Sequence, residues 1–146
     1  AFRGARSPVA AVVSLFTRVL QVRDVVPGGA VGYSGSWRAS RSSRIATLAV
    51  GYADGFARSA SAASGSPGGS VVIHGARLPV VGRVSMDLIT VDVTDCPVPV
   101  TRGDVAEVLG ATLPLETVGA EARTIGYEVL TRLGQRYSRV YVGGGA

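Results

Sequence analysis

Gly82-Arg83-Val84-Ser85-Met86-Asp87, running into Leu88-Ile89-Thr90-Val91-Asp92-Val93, is the stretch from which the fold class can be read. In its second half Leu88, Thr90 and Asp92 alternate with Ile89, Val91 and Val93, and β-branched residues dominate. That pattern predicts a half-buried strand. The first half sets Arg83, Ser85, Met86 and Asp87 beside a glycine, between two β-rich runs where a bare connection would suffice. Two readings are open: a structured turn in a β-domain, or a loop that presents polar groups to a ligand.

Working back from it, Val71-Val72-Ile73 and Leu78-Pro79-Val80-Val81 flank His74-Gly75-Ala76-Arg77, a hairpin signal with glycine in the turn. Residues 45–50 form a short apolar run, predicted as a buried strand. Gly51-Tyr52-Ala53-Asp54-Gly55-Phe56 follows as a glycine-bracketed loop. Residues 57–70 are low in complexity and lack large apolar groups, which predicts a flexible surface loop within one domain rather than a linker. Residues 30–38 read as extended, with Tyr33 and Trp37 as large anchors, after a turn at Pro27-Gly28-Gly29. Residues 9–26 are predicted as strand from the alternation of Val19, Gln21 and Arg23 with Leu20 and Val22. Residues 1–8 read as a loose leader.

Downstream, Cys96-Pro97-Val98-Pro99 is irregular and residues 104–109 form another short strand ended by Gly110. Two helices are expected. Pro114 would stand in the first turn of one, with Leu115, Val118 and Ala122 on one face. Thr124 would cap the second, with Val129, Leu130 and Leu133 buried and Gly134 as the stop. Val140, Tyr141 and Val142 read as a last strand. Many short strands with glycine-rich turns predict a mainly β domain, a closed barrel or a sandwich, with one or two short helices near the C-terminus.

Bulk properties narrow the function. At 146 residues, 47% hydrophobic and only 17% charged, the chain is expected to form one globular domain over 1–146. It has no apolar run of membrane-spanning length and no clear signal peptide, so a soluble cytoplasmic protein with no membrane partner is the expectation. The single Cys96 reads as structural and the single His74 as an exposed turn residue without a role; together they are too little for a protein-only zinc site. All 15 basic residues are arginine, giving a net charge of +5. They are scattered and do not interleave with aromatics, which argues against a nucleic-acid partner. Without lysine, no side chain here can form a Schiff base with an aldehyde cofactor.

Four segments in order, Val31-Gly32-Tyr33, Gly51-Tyr52-Ala53-Asp54-Gly55-Phe56, Val81-Gly82-Arg83-Val84-Ser85-Met86-Asp87 and Thr124-Ile125-Gly126-Tyr127-Glu128, together resemble the C-terminal domain of alanine racemase, from about residue 13 to 141. That family's enzymes depend on pyridoxal 5'-phosphate and serve the bacterial D-alanine pathway for peptidoglycan. The resemblance implies a Greek-key type β-barrel. It further implies that the cofactor lysine belongs to a separate α/β barrel domain, absent here, in agreement with the missing lysine. It implies a homodimer in which the β-domain of one subunit reaches over the barrel mouth of the other, and alanine as the substrate. The isolated chain would then be inactive.

Residue by residue, Tyr33 matches the family's catalytic tyrosine. The chemistry needs two bases on opposite faces of a planar carbanion, and Tyr33 would serve one face and the lysine of the other domain the second. A phenol ionises only near pH 10, so a positive charge must favour its anion, and the barrel domain is expected to supply it. Ser34 stands where the family usually has glycine. Tyr52 resembles a tyrosine lining the route to the cofactor, Arg83 and Asp87 match positions at the entrance or in its polar support, and Ile125 matches a residue of the access corridor. Arg58 could line the entrance or lie in solvent, and Asp54 reads as a turn-former. The family places the backbone amide at Met86 against the substrate carboxylate. Tyr127 matches a tyrosine that contacts the cofactor phosphate, beside a helix start whose N–H groups would face an anion. Against all this stands a different reading, a free-standing β-barrel module for dimerisation or partner binding, with Tyr33 as a core tyrosine and Asp87 as a turn cap.

Overall fold

The computed structural model describes residues 12–143. The expected leader at 1–8, and the first residues of the strand expected from 9, lie outside them. Eight strands and two short helices follow one another: β1 (Leu15–Val25), β2 (Ala30–Val31), β3 (Trp37–Arg38), β4 (Ser43–Leu48), β5 (Ser70–Ile73), β6 (Ala76–Val81), β7 (Ile89–Asp92), β8 (Val105–Leu109), α1 (Leu115–Glu121) and α2 (Gly126–Thr131). Six strands close into a barrel in the order β1-β4-β7-β6-β5-β8, every neighbour antiparallel. The crossed order, with β4 between β1 and β7, is the mainly β, Greek-key type barrel anticipated from the strand pattern and the resemblance.

The hydrophobic alternation explains the interior. Ile89, Val91 and Val93 are buried, as are Ile73, Val71, Val80, Leu48 and Val108, and all belong to one core cluster. Branched side chains on alternate positions fill such a barrel. The β5–β6 hairpin turns at His74 (φ 51°) and Gly75 (φ 75°), two residues in the left-handed region that a two-residue hairpin demands.

β1 is long because it serves two neighbours. Leu15–Arg18 pairs with β8 and Gln21–Val25 with β4. Between Val19 and Gln21 the register shifts, leaving Leu20 as an extra residue that faces outward. This bulge bends the strand round the barrel and moves the inward positions from Thr17 and Val19 to Val22. Plain alternation through residues 19–23 is therefore corrected.

Other expectations shift as well. Residues 30–38 are not one extended run but the two-stranded ribbon β2–β3, with a 3-10 turn Tyr33–Gly35 at its tip. A second apolar cluster of Val25, Val31, Ala39, Ile45 and Val81, with Trp37 packed against it, seats this ribbon on the barrel. Residues 57–70 are not a bare surface excursion. They contain a 3-10 turn Arg58–Ala60 and a bridge between Ala63 and Ser66, and they bury Ala60 and Ala62. Ala62 N donates to the Gly82 carbonyl at 2.9 Å, and a Cβ on Gly68 would meet the Ala60 carbonyl at 2.7 Å. The small residues there are what close packing selects.

At the C-terminal end, Pro114 occupies the cap position of α1 and Ile125 that of α2. Thr124 is thus not the cap; its hydroxyl donates to the Glu128 carboxylate at 2.7 Å instead. α2 stops at Thr131, short of Gly134, whose N–H turns to the Asp54 carbonyl. Val140, Tyr141 and Val142 form no strand and are exposed. The physical reason is that β1 and β8 already close the ring, so no barrel edge is free to pair with them. His74 does have a partner, correcting its reading as a residue without a role: its Nε2 lies 2.9 Å from Asp104 Oδ2, tying the hairpin to the start of β8. Cys96 packs against the core.

Candidate active-site surface

Three loops meet at one end of the fold, and glycines determine how closely. Gly32 (φ 77°) and Gly82 (φ 75°) face each other: a Cβ on Gly32 would meet Gly82 Cα at 2.9 Å and Arg83 N at 3.0 Å. The ribbon tip therefore lies backbone to backbone on the loop that follows β6. Tyr33, one residue beyond this seat, projects outward with 74% of its surface exposed. The next residue, Ser34, is held at φ 65°, a left-handed conformation that suits glycine better.

The second loop carries the 3-10 turn Tyr52–Asp54. Gly51 sits directly under the carbonyls of Ser85 and Met86. Two backbone bonds then join this loop to the third: Tyr52 N–H donates to Ser85 O and Ala53 N–H to Met86 O, each at 3.0 Å. Asp54 is nearly buried, and its Oδ2 accepts the Gly51 N–H at 2.9 Å, which shapes the turn.

In the third loop Val84 is buried as an anchor, while the Ser85 hydroxyl and N–H both reach the Leu88 carbonyl. That compact turn pushes Met86 to the surface, 53% exposed, and its N–H has no acceptor among the described residues. Arg83 is exposed and has no ion-pair partner among the described residues. Asp87 does have one: Arg136 Nη1 lies 2.8 Å from its Oδ1, and Arg136 Nε lies 3.3 Å from Asp54 Oδ1. The Asp87 hydrogen bond and the charge of Asp54 raise the guanidinium's pKa further. Beside it, burial pushes the Tyr137 phenol well above its ordinary value, with Asp54 adding to the effect; its hydroxyl is buried without a hydrogen-bond partner among the described residues.

The structure thus brings Tyr33, Tyr52, Arg83, Met86 and Asp87 onto adjoining loops. Ile125 and Tyr127 belong elsewhere. They are 66% and 79% exposed at the start of α2 and line an apolar groove with Pro114, Leu115 and Leu130, which none of Tyr33, Tyr52 or Met86 lines. Their position is set by another close approach, since a Cβ on Gly119 in α1 would meet Gly126 N at 3.0 Å. Glu128 is held below the usual carboxylate range by the Thr124 hydroxyl and by Arg132. Arg58 closes its own 3-10 turn beside the second loop. Arg136 escaped sequence reading: it is one of 15 arginines, and nothing local marks its partners. Among the described residues, no group of three or more His, Cys, Asp or Glu could hold a metal, and no helix is long and apolar enough to cross a membrane.

The protein family described as "Alanine racemase, C-terminal domain" matches residues 12–141. This chain belongs to that family. Alanine racemase of Rhizobium meliloti (strain 1021) is 48% identical over 151 residues, spanning 99% of this chain and 40% of that protein. Alanine racemase of Methylobacterium sp. (strain 4-46) is 46% identical, spanning 95% of this chain and 37% of its own length. Among solved structures, alanine racemase from Bartonella henselae with covalently bound pyridoxal phosphate superposes with a TM-score of 0.87 at 43% identity, covering 93% of this chain and 36% of that one. The biosynthetic alanine racemase from Pseudomonas aeruginosa gives 0.81 at 38% identity, covering 89% of this chain and 35% of that one. The chain therefore spans 34–40% of the length of the curated relatives it matches. It contains no lysine, so any covalent hold on an aldehyde cofactor falls to residues outside it.

Proposed function

We propose that this domain completes an alanine racemase, supplying one of two bases for the interconversion of L- and D-alanine. The carrying observation is the seating of Gly32 on Gly82, which sets an outward-facing Tyr33 on the loop adjoining the one that presents Met86. In this reading the Tyr33 hydroxyl exchanges a proton with the substrate α-carbon on one face, and a lysine of the cofactor-bearing α/β barrel does so on the other. The Met86 N–H, which has no acceptor among the described residues, donates to the substrate carboxylate, a contact that requires no particular side chain. Tyr52, Arg83 and Asp87 line or support the entrance to that site.

The residues present fit pyridoxal 5'-phosphate as a shared rather than a wholly owned ligand. The exposed Tyr127 hydroxyl at the start of α2 serves the phosphate, with Ile125 in the approach to it. Pyridoxal phosphate, when bound, makes the α-proton acidic enough to move. Tyr33, Tyr52, Met86 and Leu88 are all exposed large side chains, a surface suited to being covered by a barrel mouth, in a homodimer by that of the other subunit. The reading places the enzyme in the cytoplasm, on the route to peptidoglycan.

The test joins the chain in one polypeptide to a cofactor-bearing barrel domain and follows L- to D-alanine conversion. Tyr33→Phe should lower the rate by about a hundredfold or more, the scale of a lost general acid–base group. Equal activity of the phenylalanine variant would remove Tyr33 from the chemistry.

A further inference from the structure

Beyond Tyr33 and Met86, we infer that Arg136 is a positioning residue for the substrate carboxylate, acting as a clamp between the loops of Asp54 and Asp87. The inference rests on the reading that the Met86 N–H receives that carboxylate.

The peptide joining Ser85 to Met86 is one planar unit. Its carbonyl is Ser85 O and its amide is the Met86 N–H, and in a trans peptide the two point in opposite directions. Ser85 O accepts from Tyr52 N at 3.0 Å, and the next carbonyl, Met86 O, accepts from Ala53 N at the same distance. Whatever fixes the Tyr52–Asp54 turn against residues 85–87 therefore fixes the direction of the free Met86 N–H. Arg136 spans that same junction from outside. Nε addresses Asp54 Oδ1 at 3.3 Å, and Nη1 addresses Asp87 Oδ1, on the residue after Met86, at 2.8 Å.

An arginine suits this task because its donors stand apart on a rigid plane and can serve two carboxylates at once, whereas lysine offers a single ammonium. The Arg136 side chain is half exposed, so its ion pairs add little to global stability. Their effect is local. Arg136 also neutralises Asp87, whose charge would otherwise stand one residue from the amide that meets an incoming carboxylate.

The experiment uses the chain joined in one polypeptide to its cofactor-bearing barrel, with Arg136→Met, Arg136→Lys and Asp87→Asn. Two readouts are needed: KM and kcat for alanine, and hydrogen exchange at the Tyr52 and Ala53 amides. Arg136→Met should raise KM by about fivefold with kcat within about twofold, the factor carried by one weakened hydrogen bond. Exchange at the two amides should quicken while β4 and β7 are unaffected. Arg136→Lys should fall between Arg136→Met and the parent in both readouts. If Arg136→Met does not fold, Asp87→Asn, which removes one limb only, should give the same changes to a smaller extent. An unchanged KM, unchanged exchange at those amides, or quickened exchange throughout the barrel would each overturn the inference. A parent polypeptide that fails to racemise alanine would instead overturn the reading of the site, and the exchange arm, which needs no substrate, keeps the two failures apart.

Discussion

Gly51 has no room for a side chain, because the carbonyl of Met86 occupies the space where its Cβ would stand. Its φ of −151° is extended backbone that any residue adopts, so the constraint is one of space alone. Gly51→Ala must push the 82–87 loop off the 51–56 loop and break the bond from Tyr52 N–H to Ser85 O. The expected loss is about 1–3 kcal/mol, as for other overpacked sites, read from the denaturant midpoint.

Ser34 is the opposite case. It is exposed to solvent, yet it is held at φ 65° and ψ 9°. Left-handed backbone costs a residue with a Cβ about 1–2 kcal/mol, part of which glycine returns through the entropy of its unfolded state. Ser34→Gly should therefore raise stability by about 0.5–1 kcal/mol, and Ser34→Val should lower it, both measured by thermal or urea melts.

Glu121 ties α1 to the barrel. Its carboxylate accepts the Ser70 N–H at 2.9 Å and the Ser70 hydroxyl at 2.7 Å, and it pairs with Arg77. Ser70 is buried, so Glu121→Ala leaves a buried N–H without an acceptor. The expected loss is about 1–3 kcal/mol, with Glu121→Gln losing less because an amide oxygen still accepts.

Asp104 gives a pH dependence. The Thr101 backbone N–H, and after it His74, hold its carboxyl below the usual carboxylate range. A carboxyl with a lowered folded pKa contributes stability above its unfolded value, about pH 4, and that contribution disappears as the pH falls through the folded value. Stability measured by urea melts should thus fall less steeply below about pH 4 in Asp104→Asn than in the parent. Parallel curves would exclude Asp104 as a contributor.

How much of this was legible beforehand depends on where each cause lies. Ile89, Val91 and Val93 announce their strand because burial on one face is written into every second residue. His74-Gly75 announces its turn because few residue pairs tolerate that backbone. Leu20 looks as core-like as Val19, yet it is the extra residue of a bulge, a property of how β1 meets β4 rather than of β1 itself. Residues 57–70 are rich in Ala, Ser and Gly, and the same composition serves a flexible tether or a tightly packed one. Residues 140–142 have strand-forming side chains but no partner edge. The loops of Tyr33, Tyr52 and Met86 were recognisable through the resemblance, but their mutual contact, and the part of Arg136 in it, exist only once the barrel has closed.

That closure also decides how the domain can meet anything else. A ring of six strands has no outermost member, so each of them already has a partner on both sides. A neighbouring polypeptide cannot join by lengthening the barrel's sheet. At the barrel, recognition proceeds side chain by side chain, through loop tips and helix faces, where one substitution can alter the fit without disturbing the backbone network beneath.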